Sequence, residues 1–117
     1  MSADLRATVL SEGRDDWVPL ITVDRAAREG ASDSDRVIKQ RVLETIREMA
    51  VRGEVSIGWT PPGGTGFERW ATSIDESIRR IADSYLQSES EFDWAFTCWL
   101  ELTERGRAAV VPFDPSE

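Results

Sequence analysis

Gly53-Glu54-Val55-Ser56-Ile57-Gly58-Trp59, running on into Thr60-Pro61-Pro62-Gly63-Gly64-Thr65-Gly66, decides the fold. Val55, Ile57 and Trp59 alternate with Glu54, Ser56 and Gly58, the period of a half-buried strand. Two prolines and three glycines then end regular structure, because they support neither a ladder nor a helix. Upstream, Ile38, Val42, Ile46, Met49 and Ala50 recur at helical spacing behind Ser32, Asp33 or Ser34 as the cap, and Gly53 stops that helix. A helix, a tight reversal into a strand and a long irregular excursion predict an α+β domain, not a bundle or a sandwich.

Working outward, Asp15-Asp16 can cap a helix over about residues 16–29 with Trp17, Leu20, Ile21 and Ala27 on one face, Pro19 being tolerated in the first turn. Before it, residues 1–14 show no sustained period. Leu5, Val9 and Leu10 fit a short helix or strand, or an N-terminal arm. Beyond the loop, Ser73 and Glu76 form a capping box for a helix over about 74–87, with an apolar stripe of Ile74, Ile78, Ile81, Ala82, Tyr85 and Leu86. Trp94, Phe96, Cys98, Leu100 and Leu102 alternate with Ala95, Thr97, Trp99 and Glu101, which predicts a second strand. Thr103 caps a last helix over Glu104–Ala109, and Pro112 and Pro115 keep residues 111–117 extended. The expected order is α-α-β-α-β-α in one domain over 15–110, with a two-stranded antiparallel sheet and a helix inserted between its strands.

The order helix, helix, strand, long excursion, strand, followed by Leu102-Thr103-Glu104-Arg105-Gly106-Arg107, resembles winged-helix proteins over about residues 15–110. In many of these a returning wing strand runs into a Leu-Thr-x-x-Gly-Arg segment that opens the next helix. More narrowly, Asp16-Trp17-x-Pro19-Leu20, Phe67-x-x-Trp70, Ser73-x-x-Glu76 and Trp99-Leu100-x-Leu102-Thr103 look like segments of small uncharacterised proteins of high-GC bacteria. The chain departs from the winged-helix pattern by placing a whole helix where a typical wing has a few residues. If the resemblance extends to DNA, the second helix is the element that enters a major groove, with Arg36, Lys39, Gln40 and Arg47 as base or phosphate readers. That helix carries five basic residues (36, 39, 41, 47, 52) against four acidic ones (33, 35, 44, 48), a balance of only +1.

Composition narrows the chemistry. The 117 residues include 22 acidic and 14 basic ones, a net charge of −8, and no histidine. Without histidine there is no Ser-His-Asp or Cys-His system, and common zinc and iron sites lose their usual ligand. Cys98 is the sole cysteine, which excludes an internal disulfide and reads as a small buried hydrophobe. Gly58, Gly63, Gly64 and Thr65 match the spacing of a phosphate-binding loop, but its lysine is missing. Asp33-Ser34-Asp35 opens like a calcium loop and continues with Arg36 and Val37 in place of ligands. No catalytic, cofactor or metal residues are assigned, and the chain is expected not to be an enzyme. No apolar run approaches the roughly 20 residues of a membrane span, and Met1–Arg6 lacks the pattern of a signal peptide, so a cytoplasmic location is expected.

Most of the five tryptophans are expected to fill the core, while Trp59 and Trp70, beside the glycine loop, either belong to a binding surface or plug one end of the core. The expected partner site is Trp59, Phe67, Arg69 and Trp70 around Pro61–Gly66, with Glu89 and Glu91 beside it. An acidic body with an aromatic patch suits a basic protein partner. The expected function is a non-enzymatic interaction or regulatory module, such as an immunity-type inhibitor, an adaptor or an assembly subunit. A DNA-binding regulator of winged-helix type is the alternative.

Overall fold

A computed structural model of the chain describes residues 3–61 and 66–110. The element order is α1 (Ala3–Gly13), β1 (Val18–Pro19), α2 (Leu20–Arg28), α3 (Asp35–Val51), β2 (Val55–Trp59), β3 (Glu68–Arg69), α4 (Ile74–Tyr85), α5 (Glu91–Trp94), β4 (Trp99–Leu102) and α6 (Glu104–Ala109). The strands form one antiparallel sheet in the order β1-β4-β2-β3. The α+β class is therefore as expected, but among the described residues the sheet has four strands, not two. Strands β1 and β3 are two residues long, too short to carry a period that sequence could reveal.

Local signals placed the central elements. Ser34 Oγ accepts from Val37 N at 3.3 Å, Ser73 Oγ from Glu76 N at 3.2 Å and Thr103 Oγ1 from Gly106 N at 3.0 Å, capping α3, α4 and α6. In the Leu-Thr-x-x-Gly-Arg segment the glycine has a steric cause. A Cβ on Gly106 would stand 2.0 Å from Glu54 O, so only glycine lets α6 approach the turn between α3 and β2.

Three expectations need correction. Residues 3–13 are not an arm but a helix, with Leu5, Val9 and Leu10 buried in the core and Arg6 paired with Glu54. Arg6 Nε donates to Glu54 Oε1 at 3.0 Å, and this bond holds the Glu54 carboxyl below its ordinary range against the opposing effect of burial. The helix expected over 16–29 begins only at Leu20. Pro19 is extended at φ −74° and ψ 156°, and a residue before proline is itself pushed away from the helical region, so Val18–Pro19 joins the sheet. The strand expected over 94–102 starts at Trp99. Trp94, Ala95 and Cys98 are all buried, a spacing that a helical turn satisfies as well as a strand, and Ala95 N donates to Glu91 O at 2.7 Å. The centre of the glycine loop, residues 62–65, and the expected extended tail, 111–117, lie outside the described residues.

The core lies between the sheet and the helices. Val18, Leu100 and Ile57 form one buried row across β1, β4 and β2, with Val55 and Leu102 beside it. Cys98 is fully buried, and desolvation pushes its thiol up to about 12, so it stays a neutral apolar group. Helix α4 packs along α3 and against α5. Ile81 is buried and Ile78 only partly so. Ile81→Ala is therefore expected to cost about 3 kcal/mol in denaturant titration and Ile78→Ala less than half of that. Equal costs would mean that α4 is rotated from this placement.

Candidate functional site

The pleat sorts the sheet's aromatic side chains onto two faces. Opposite the core row runs an outer row, Pro19–Trp99–Gly58–Arg69, and next to it Glu101 pairs with Ser56. Trp17 lies over this face, its Nε1 donating to Glu101 Oε2 at 2.9 Å. Phe67 covers Gly58, where a Cβ would meet the Phe67 ring edge at 2.8 Å and Glu68 O at 2.1 Å, so the missing side chain makes room for the ring. The rings pair in two stacks, Trp17 with Phe67 (6.4 Å between centroids, 30°) and Trp99 with Phe96 (5.8 Å, 28°). Trp17, Phe67 and Trp99 are partly buried, and Phe96 is 64% exposed. Four residues before it, on α5, Phe92 is 98% exposed. Exposed and part-exposed rings in such number, arranged side by side, are what an interaction surface presents and what folding alone would not keep in water.

The expected partner site is divided by the same pleat. Phe67 and the exposed Arg69 belong to the outer face. Trp59 is exposed, but by alternation it falls on the helix side of the sheet with Ile57. Trp70 is on that side too, since its N–H donates to Ile57 O at 3.0 Å and its ring is 7% exposed with the Arg80 guanidinium 4.1 Å above it. Glu89 and Glu91 are exposed elsewhere, at the mouth of a cavity of about 440 Å³ that Asp24, Arg28, Asp35, Lys39 and Trp94 complete. Trp17, Phe92, Phe96 and Trp99 are the surface residues that sequence reasoning missed. A signal did exist for Trp99, because it shares the outward phase of its strand with Glu101, opposite Cys98, Leu100 and Leu102.

That cavity covers an ionic network in which Asp24 and Lys39 are buried, Arg28 is half-buried and Asp35 is exposed. Arg28 Nε donates to Asp24 Oδ2 at 2.7 Å, Tyr85 Oη donates to Asp24 Oδ1 at 2.5 Å, and Arg28 also pairs with Asp35 at 2.6 Å. Lys39 is 5% exposed. Its ammonium donates to Tyr85 O at 2.8 Å and Ser88 O at 3.2 Å, and lies over the Tyr85 and Trp94 rings at 5.0 and 5.2 Å. The expectation of Lys39 as a nucleic-acid reader is thereby overturned, because the side chain is spent capping the C-terminal end of α4. Arg47 pairs with Asp75 of α4 at 3.0 Å, while Arg36 and Gln40 stay exposed. The carboxylates and cations of the network satisfy one another, which suits a strut between α2, α3 and α4 more than a reacting centre. Among the described residues, no group of three or more histidine, cysteine or acidic side chains could hold a metal ion. No described helix is long and apolar enough to cross a membrane. Comparison with protein-family models, with curated proteins and with solved structures finds no match for the chain.

Proposed function

We propose that this chain is a non-enzymatic protein-interaction or regulatory module that docks a basic protein partner on the outer face of its sheet. One observation carries the reading: Trp17 with Phe67 and Phe96 with Trp99 stack in pairs on the outer face of the sheet, with Phe96 64% exposed. Aromatic side chains of this kind supply large contact area at low entropic cost, and they concentrate binding energy. An immunity-type inhibitor, an adaptor and an assembly subunit would each use such a surface.

The winged-helix-like relationship belongs to the same proposal. The order α2, α3, β2, excursion, β4, α6, with β2 paired to β4, supports it. Its DNA-binding use has less support, because α4 packs along the helix that would enter a groove and Lys39 is buried. Affinity capture from the native cytoplasm, with and without nuclease, followed by titration of the purified partner, tests the reading. Phe96→Ala should weaken that partner about 30-fold, the loss of one anchor, at unchanged melting temperature. An unaltered affinity would overturn the docking face. So would duplex DNA binding tighter than about 10 µM at physiological salt that Arg36→Ala weakens, since net charge opposes such binding.

A further inference from the structure

At the β1 edge of the outer face lies a cavity of about 290 Å³, lined by Glu12, Asp16, Trp17, Pro19, Thr22 and Trp99 among others. Its two indoles are held in place before anything binds. Trp17 is fixed by its hydrogen bond to Glu101 and by Phe67, and Trp99 by its strand register and by Phe96. Both carboxylates are exposed, and no lysine or arginine lines the space. Asp16 Oδ1 accepts from Trp17 N at 2.8 Å, which fixes the carboxylate and leaves its second oxygen for a ligand. Aromatic faces carry negative potential, so two indoles and two carboxylates around one opening select a cation. The space is at the small end for a ligand pocket, about the size of one long side chain.

The backbone at this edge settles how a partner approaches. Val18 pairs with Leu100, and Leu20 N donates to Cys98 O at 2.9 Å, so the outward position of the edge strand is Pro19. Proline has no N–H to offer, and an incoming strand finds no donor there. Recognition must come from side chains. A guanidinium fits better than an ammonium, because its plane stacks on indole and its fork matches a carboxylate.

Resting on the interaction-module reading above, we propose that this cavity seats an arginine side chain from a basic segment of the protein partner, stacked by Trp17 and Trp99 and paired with Glu12 and Asp16. The net charge of −8 draws such a segment in from a distance.

The probe is a short synthetic peptide of alternating glycine and arginine, titrated into the full chain while the tryptophan indole N–H signals are followed by NMR. A second peptide carries citrulline, which keeps the shape and loses the charge. The Trp17 and Trp99 signals should move saturably, with those of the buried Trp70 and Trp94 unchanged, and the citrulline peptide should bind about tenfold more weakly. Glu12→Gln with Asp16→Asn should weaken the arginine peptide about fivefold or more at unchanged melting temperature. Equal binding of both peptides, responses centred on Trp94 beside Glu89 and Glu91, or no saturable response at millimolar peptide would each overturn the seat. The two readings fail distinguishably. A partner lost by the Phe96 change but indifferent to Glu12→Gln and Asp16→Asn leaves the module standing and removes the arginine seat. A peptide that binds as expected, while the purified partner ignores every change on this face, overturns both the docking face and the seat for the partner's arginine.

Discussion

Asp24→Ala is expected to lower the unfolding free energy by about 2–3 kcal/mol, the cost of a buried hydroxyl left without its acceptor together with a partly exposed ion pair. Asp24 is 1% exposed on α2 and accepts from Arg28 Nε and Nη2 and from the hydroxyl of the fully buried Tyr85. Deleting the carboxylate leaves the partly exposed guanidinium with Asp35 alone and the fully buried Tyr85 hydroxyl without its acceptor. Burial first, then the bond to Asp24, keeps the Tyr85 hydroxyl protonated far above its ordinary range, so it has no ionised form to fall back on. Asp24→Asn separates charge from hydrogen bonding: its amide oxygen can still accept from Tyr85, and its loss should be about half that of alanine. Urea titration with an unchanged slope measures both. A cost below about 1 kcal/mol for the alanine variant would show that the network does not brace the helices.

The parts of the fold legible in sequence are those whose stabilisation is local. Ser34, Ser73 and Thr103 cap α3, α4 and α6 within three residues of themselves, and β2 carries its own alternation. What escaped depends on distant partners. Helix α1 is held by Arg6 to Glu54 and by core contacts of Leu5, Val9 and Leu10, which a window over residues 1–14 does not contain. Lys39 shows its charge in sequence but not the carbonyls of Tyr85 and Ser88 that claim it. The tryptophans followed the same rule. Trp59, Phe67 and Trp70 stand close together along the chain, and only the β2–β3 register reveals that the sheet puts Phe67 on one face and both tryptophans on the other.

Trp70→Ala is the second large expected effect, a loss of about 3–5 kcal/mol with a lowered melting temperature. The ring is buried on the helix side of the sheet beneath Arg80, so truncation opens a cavity and also strands the aliphatic stem and guanidinium that covered it. Its Nε1 has no hydrogen-bond partner among the described residues, so part of what tryptophan contributes is already offset by an unsatisfied donor. Trp70→Phe removes that donor while keeping most of the packing, and should stay within about 1.5 kcal/mol of the parent. This pair of variants separates folding from docking at the residue where sequence left both open. A core tryptophan on the helix side should lose stability as alanine, recover most of it as phenylalanine, and bind the partner normally as phenylalanine. If Trp70→Ala keeps its melting temperature and loses the partner, Trp70 is an exposed anchor, and the assignment of docking to the outer face of the sheet falls with it.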